Sequence, residues 1–152
     1  MSSAAPRTEA ERIEAFLASP SFAVVGASTD RSKYGNKVLR CYLQHGRKAY
    51  PVNPRAPEVE GLRAYPSLAT LPEQVQAISV ITPPAATEQV VRDAHASGVK
   101  HVWMQPGAES AEAIRTTEAL GMNVIADGPC LLVVMGFRED APPLRQPGPP
   151  HR

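Results

Sequence analysis

The sequence contains few of the features that mark secreted, metal-binding or membrane-spanning proteins. Its 152 residues include only two cysteines, Cys41 and Cys130, too few to hold a secreted domain of this size together. Neither cysteine nor any histidine has the spacing of a metal site, so no metal is predicted. No window approaches the roughly 18 apolar residues of a membrane span, and the N-terminus lacks the apolar core of an export signal. These absences predict a soluble, cytoplasmic protein.

Catalytic motifs are also missing from the chain. There is no G-x-x-x-x-G-K-[ST], H-E-x-x-H, C-x-x-C or G-x-S-x-G sequence. The formal net charge of +1 argues against a protein that binds nucleic acid through general electrostatic attraction. A binding protein without catalytic residues of its own is therefore expected.

What the chain does contain is an alternation of short apolar runs with amphipathic segments. Apolar runs separated by amphipathic, helical segments are typical of βαβ units with a parallel sheet and right-handed crossovers. The sequence therefore predicts a Rossmann-like, doubly wound α/β domain of three layers and five or six strands over 8–138. A disordered N-terminus over 1–7 and a disordered, proline-rich tail over 139–152 would flank it.

The predicted elements can be given in chain order. They are a helix over 8–18, with Thr8 and Glu11 as its capping box, a strand over 22–26, a helix over 35–46, a strand over 48–53, a short helix begun by Ser67, a strand over 77–82, a helix over 85–97, a strand over 99–104, a helix over 110–120, a strand over 122–127, and a further strand or buried extension over 131–136.

The loop from Gly26 to Gly35 is the first candidate site, because it joins a predicted strand to the start of a helix. Backbone N–H groups and the helix dipole at such a point favour an anion, for example a pyrophosphate. Only two glycines occur in the loop, so it departs from G-x-G-x-x-G and also suits a plain strand-to-helix turn. Arg31 and Lys33 lie within it and favour the anion.

The stretch from Gly26 to Arg55 is basic. It holds one acid, Asp30, and seven basic residues: Arg31, Lys33, Lys37, Arg40, Arg47, Lys48 and Arg55. At the end of the second strand, where dinucleotide-binding domains usually carry an acid for the ribose hydroxyls, the chain has Asn53 and Pro54. A neutral side chain among basic neighbours tolerates a ribose phosphate, which suits coenzyme A.

An ordered series of motifs lies within 20–138: GAS at 26–28, Gly35, YPVNP at 50–54, Gly61, YPSL at 65–68, TPP at 82–84 and VWMQPGA at 102–108. The series resembles the small coenzyme A-binding proteins, which are similar to the cofactor-binding domain of the succinyl-CoA synthetase α subunit. In the synthetases the catalytic histidine belongs to a further domain, so the resemblance also implies a chain that binds without catalysing.

The resemblance implies a role for each matching segment. Phosphate-bearing groups would lie on Gly26, Ala27, Ser28 and Thr29, with Lys48 on one phosphate. Asn53 and Pro54 would border the nucleotide, Thr82 and Pro83 would line the adenine, and the pantetheine would pass Trp103, Met104 and Gln105.

Other interpretations of the same residues stay open. Trp103 suits core packing equally well, Gln105 can belong to a tight turn, and Cys130, which follows Gly128-Pro129 where the family has a basic residue, suits a buried apolar role. Coenzyme A or an acyl-CoA is the leading ligand, bound by a carrier, a sensor or a subunit with a protein partner or a second copy. An NAD(P)-binding oxidoreductase, or a fragment of one, is the alternative, and a protein that has kept the fold without the ligand is the third.

Overall fold

The computed structural model describes residues 7–143 and shows a five-stranded parallel sheet between two layers of helices. The sheet strands, in spatial order, are β2 (Lys48–Val52), β1 (Ser21–Val25), β5 (Ala77–Val80), β6 (His101–Met104) and β7 (Asn123–Ile125). From β1 the chain moves to one side for β2, then returns past β1 for the other three. This reversal makes the fold doubly wound, as predicted, with its switch point between β1 and β5.

Helices cover both faces of the sheet, and its central strands are buried throughout. All five residues of β1 and all four of β5 are buried. On one face Phe16, Phe22, Tyr42 and Trp103 pack with helices α1 (Glu9–Leu17), α2 (Tyr34–Gln44) and α5 (Leu131–Met135). On the other, Ile78, Val91, Val102 and Met104 pack with α3 (Pro84–Ala96) and α4 (Ala111–Ala119).

The helix boundaries follow the capping residues that the sequence displays. Thr8 and Glu11 form the predicted capping box, in which Glu11 N donates to Thr8 Oγ1 at 3.1 Å and Thr8 N to Glu11 Oε1 at 2.8 Å. Ser110 caps α4 by accepting from Ala113 N at 3.0 Å. Pro51 lies in β2, which is an edge strand and so tolerates a missing donor.

Two segments differ from the prediction. Residues 131–136 form no strand, since Leu131–Met135 is the short helix α5, ended by Gly136. A fully apolar run has no period that separates a buried strand from a buried helix. In the stretch over 54–66, where no element was predicted, β3 (Glu58–Val59) and β4 (Leu62–Arg63) form a hairpin, whereas the predicted short helix begun by Ser67 is confirmed as the 3-10 helix Leu68–Thr70. Strands of two residues are too short to show alternation.

The segment after α5 lies against α2. Gln44 Nε2 donates to Arg138 O at 2.6 Å and to Ala141 O at 3.0 Å, and Arg138 N donates to Gln44 Oε1 at 3.1 Å. Residues 139–143, assigned to the tail by their prolines, thus contact the domain. The predicted disorder of residues 1–6 and 144–152 falls outside the described residues.

A membrane crossing needs a helix that is both long and apolar, and none of the helices within residues 7–143 meets both conditions.

Candidate functional site

The predicted site loops meet at the carboxyl edge of the sheet. The segments after β1, β2, β5 and β6 supply Gly26 to Lys33, Asn53 with Pro54, Thr82 with Pro83, and Gln105 respectively. In an open parallel sheet this edge, at the switch point between β1 and β5, is where a ligand binds.

Close backbone contacts hold the first loop in place. Gly26 has a φ of +99°, and a Cβ there would lie 2.2 Å from Ile81 O after β5. A Cβ on Gly35, in the first turn of α2, would lie 2.0 Å from Gly26 O. Both glycines are therefore required by the packing of β1, β5 and α2 around the loop.

The loop presents unpaired backbone donors at the start of α2. Asp30 N donates to Ser28 Oγ at 3.0 Å and Ser32 N to Asp30 Oδ1 at 2.9 Å. Within residues 7–143, the N–H groups of Ser28, Thr29 and Gly35 have no acceptor. Unpaired N–H groups at a helix N-terminus attract anions, so the loop has the chemistry of a phosphate site.

A buried polar network supports the loop from below. Asn36, fully buried, donates through Nδ2 to Ser28 O at 2.8 Å, and its Oδ1 accepts from Arg40 Nε at 2.6 Å. Arg40, also buried, donates to Arg31 O at 2.9 Å and to Glu139 Oε2 at 3.2 Å. Two carbonyls of the loop are thus fixed by side chains from α2.

The β3–β4 hairpin contributes a carboxylate to the same place. Glu60 Oε2 accepts from Asn36 Nδ2 at 2.9 Å and from Arg31 Nε at 3.1 Å, while Oε1 accepts from Arg31 Nη2 at 3.3 Å. Burial opposes ionisation of Glu60, but hydrogen bonds from Asn36 and Arg31 hold its pKa below the usual value. The carboxylate is therefore charged at neutral pH and neutralises Arg31.

Asn53 and Thr82 have structural contacts within the site. Asn53 donates through Nδ2 to Ala27 O at 2.8 Å, and its Oδ1 accepts from Arg55 N and Ala56 N at 2.7 and 3.0 Å. Its amide thus ties the end of β2 to the first loop. Thr82 Oγ1 lies 2.8 Å from Thr87 Oγ1, beside the exposed Pro83 at the start of α3.

An apolar cleft lies next to the loop. Its volume is about 310 Å³, and its walls are Tyr34, Gln105, Pro106, Cys130 and Val133. Tyr34 and Val133 are 58% and 79% exposed, and Val134 beside them is 42% exposed. These are the exposed large apolar side chains of the described residues, so unpaired apolar surface is concentrated at the mouth of this cleft.

The three residues expected along the pantetheine have different surroundings. Trp103 and Met104 are fully buried in opposite core layers, and Trp103 Nε1 donates to Pro129 O at 3.0 Å. Gln105 borders the cleft, although its Oε1 accepts from Leu131 N at 2.8 Å and its Nε2 lies 3.4 Å from Cys130 Sγ. Core packing thus accounts for Trp103 and Met104, while Gln105 shapes the cleft.

Lys48 is placed away from the site, contrary to the sequence prediction. It begins β2 at the amino edge of the sheet, opposite Ser21, and four residue steps of strand put it about 13 Å from Val52. Its Nζ lies 2.6 Å from Glu73 Oε2. The resemblance implied a phosphate contact for Lys48, and the direction of β2, which puts its first residue at the amino edge, does not favour that contact.

Sequence reasoning missed Asn36, Arg40, Glu60 and Tyr34. Arg40 was counted only as one basic residue among seven, although its i,i+4 spacing from Asn36 places both on one side of α2. Glu60 is followed by Gly61 between two apolar residues, a turn signal, but nothing in the sequence indicates that this turn contacts the first loop.

Comparisons with known proteins agree with this geometry. Residues 20–136 match the family described as CoA binding domain. The α subunit of ADP-forming acetate–CoA ligase II from Pyrococcus furiosus is 31% identical over 124 residues, which cover 74% of this chain and 27% of that subunit. The chain therefore spans about a quarter of that relative's length.

Solved structures of related proteins also superpose on this chain. A hypothetical protein from Pyrococcus horikoshii has a TM-score of 0.77 and 29% identity, with 88% of this chain and 95% of that one covered. The dinucleotide-forming acetyl-coenzyme A synthetase 1 of Ca. Korarchaeum cryptofilum, in complex with phosphate and ADP, has a TM-score of 0.64 and 34% identity over 70% of this chain and 25% of that one. The matched residues make up most of the described domain, and the chain belongs to the CoA binding domain family.

Proposed function

We propose that this protein binds coenzyme A or an acyl-CoA at the carboxyl edge of its sheet, as a non-catalytic carrier, sensor or partner subunit. The observation that supports this most is the loop over 26–35, which carries unpaired N–H groups and includes Tyr34, a wall of the apolar cleft. A ligand with phosphates at one end and a long, weakly polar arm at the other matches both features.

In this proposal the pyrophosphate binds at the N-terminus of α2, on the N–H groups of Ser28, Thr29 and Gly35. Arg31 and Lys33 supply positive charge, and Lys33, the residue before α2, is exposed. The pantetheine arm passes through the cleft between Tyr34, Gln105 and Val133, toward the thiol of Cys130. Pro54, Thr82 and Pro83 border the nucleotide.

Asn53 separates this ligand from NAD, although not from NADP, whose adenosine ribose also carries a phosphate. The amide of Asn53 donates to Ala27 O and accepts from the backbone of the following turn. Because this residue is an asparagine, it presents no carboxylate to a ribose at the end of β2. NAD-binding domains place an acid there for the 2′-hydroxyl. A phosphorylated ribose, as in coenzyme A, meets no repelling charge at Asn53.

Isothermal titration with coenzyme A, 3′-dephospho-coenzyme A, NADH and NADPH tests the proposal. We expect binding of coenzyme A and weaker binding of NADH and NADPH. Tighter binding of NADH or NADPH would favour the NAD(P) alternative, and no binding of any of the four would contradict the proposal.

The role of the cleft is tested by Val133→Glu. A carboxylate at the mouth of the cleft disfavours contact with an apolar arm, so this variant should bind coenzyme A at least about fivefold more weakly, or about 1 kcal/mol. Adenosine 3′,5′-bisphosphate has no pantetheine and should bind both proteins alike. Equal losses for the two ligands would place the arm elsewhere.

A further inference from the structure

The turn of the β3–β4 hairpin contains a residue in an unfavourable backbone conformation. Val59 pairs with Leu62, so Glu60 and Gly61 form a two-residue loop, with φ angles of +52° and +78°. Positive φ at both positions is the type I′ turn, which favours Asn, Asp or Gly at the first position. Glutamate is strained there, and strained residues persist where their side chains have a role.

The contacts of Glu60 identify that role. Its two carboxylate oxygens accept from both Nε and Nη2 of Arg31, and one also accepts from the buried Asn36. The Arg31 side chain is 63% exposed, whereas that of Glu60 is only 21% exposed. The Glu60 carboxylate thus occupies two guanidinium N–H donors of Arg31 in the first loop, as a bound anion would.

We propose that Glu60 is an internal counter-anion for Arg31, which a phosphate of the ligand displaces. This inference rests on the proposed function, because it concerns the same loop. Arg31 is exposed enough to turn from one anion to another, and the pyrophosphate of coenzyme A carries two negative charges against one on the carboxylate. When Arg31 turns to the ligand, the hairpin loses its contacts with this side chain. Ligand binding is thereby coupled to loosening of the hairpin over 58–63, which is still held by the buried Val59 and by the Asn36–Glu60 hydrogen bond.

The competition also sets which ligands bind. A ligand must replace the Arg31–Glu60 contact and tolerate the Glu60 charge nearby. Ligands with weakly charged phosphate groups meet this condition poorly, while those with a full pyrophosphate meet it well. Glu60 is therefore a specificity-determining residue, and its charge rather than its size is what matters.

Glu60→Gln removes the charge and keeps the size and the turn conformation. At about 10 mM salt, where screening is weak, we expect this variant to bind coenzyme A and inorganic pyrophosphate at least about threefold more tightly than the wild type. Glu73→Gln is the matched control, because it removes the same charge from the Lys48–Glu73 pair at the other edge of the sheet. It should leave both affinities unchanged.

A double-mutant cycle with Arg31→Gln separates displacement from general electrostatics. If Glu60 competes for Arg31, the gain from Glu60→Gln disappears in the Arg31→Gln background. A gain of the same size in both backgrounds would overturn the inference. Circular dichroism of all variants checks that each is folded.

Hydrogen exchange gives a readout that does not depend on affinity. Coenzyme A or pyrophosphate should raise exchange at residues 58–63 in the wild type, while slowing it in the first loop. In Glu60→Gln the hairpin should exchange faster before ligand is added and change little afterwards. Slower exchange of residues 58–63 on ligand binding to the wild type would contradict a loosening of the hairpin.

The outcomes distinguish this inference from the proposed function. Binding of coenzyme A with no gain in Glu60→Gln would leave the function standing and overturn the counter-anion. Binding of pyrophosphate alone, with the gain, would support the counter-anion and contradict the function. Binding of neither ligand by the wild type would overturn both.

Discussion

Two ion pairs of similar composition lie at opposite edges of the sheet. At the carboxyl edge Arg31 pairs with Glu60, and at the amino edge Lys48 pairs with Glu73, whose carboxylate also accepts from the Tyr50 hydroxyl. The side chains of Lys48 and Glu73 are 50% and 38% exposed. Exposed pairs of this kind contribute little to stability.

The surroundings of the two pairs differ more than the pairs themselves. Glu60 also contacts a buried amide, which binds the carbonyl of Ser28 in a loop with unpaired N–H groups. Within the described residues, the Glu73 carboxylate contacts only Lys48 and the Tyr50 hydroxyl, which are both side chains of β2. Of the two pairs, only Arg31–Glu60 therefore has the buried groups and free donors that the proposed ligand site uses.

The largest expected effect at the carboxyl edge is that of Gly26→Ala. The new Cβ would meet Ile81 O at 2.2 Å at a φ of +99°, and a carbonyl of the sheet cannot move aside. We expect a loss of about 3 kcal/mol in the free energy of unfolding, measured with urea, together with weaker binding of coenzyme A.

Gly107→Ala is the control for this prediction. Its φ of +100° is similar, but nothing lies within 4 Å of the added Cβ, so the backbone conformation alone should cost about 1 kcal/mol. Equal losses in the two variants would mean that the contact with Ile81 relaxes freely.

Arg40→Met tests the buried network and should have the next largest effect. Methionine keeps most of the stem, but the hydrogen bonds to Asn36 Oδ1 and Arg31 O are lost. With Asn36 left partly unpaired, we expect a loss of about 2 kcal/mol in stability and weaker binding of coenzyme A. Calorimetric unfolding and titration measure the two effects.

Arg47→Met makes the corresponding change at the amino edge. Arg47 Nη2 donates to Leu17 O and Ser19 O at 2.6 and 2.9 Å, so stability should also fall. The affinity for coenzyme A should not change, because these carbonyls lie far from the first loop. A loss of affinity in both arginine variants would show that it reflects stability alone.

The fold was predictable from the sequence because its signals are local. Apolar runs, capping residues and the alternation of elements identify the five strands of the sheet and helices α1 to α4, and the first loop follows from its place between β1 and α2. One feature required three-dimensional information: the contact of Glu60 with Arg31 spans 29 residues and depends on how a hairpin folds back. The separation of Lys48 from the site did not, since Lys48 begins the predicted strand over 48–53 and the direction of that strand puts it at the amino edge.

A fall in pH should have a smaller effect on the free energy of unfolding. Hydrogen bonds from Asn36 and Arg31 hold the pKa of Glu60 low against the opposing effect of burial, and those from Lys48 and Tyr50 lower the pKa of Glu73. A lowered pKa contributes stability above the unfolded value, about 4.5, which is lost as the pH falls through the folded value.

Unfolding between pH 6 and about pH 3 should therefore show the wild type losing more stability than Glu60→Gln or Glu73→Gln, by less than about 1 kcal/mol in each case. The two variants should resemble each other in this measurement and differ in ligand affinity. Identical pH dependence in the wild type and Glu60→Gln would show that the pair contributes no stability.

The smallest effect is predicted for Lys48→Ala, the residue that the sequence assigned to a phosphate. Since Lys48 lies at the amino edge and pairs with Glu73, its removal should change stability by at most about 0.5 kcal/mol. Coenzyme A affinity should stay within about twofold of the wild type, whereas Arg31→Ala should weaken binding by about 1 to 2 kcal/mol, the scale of a charge-assisted hydrogen bond. Titration of the two variants side by side at the same salt concentration measures the difference. A tenfold loss in Lys48→Ala would mean that the ligand extends along β2 to the amino edge, because no change in an exposed pair at that distance otherwise reaches the first loop.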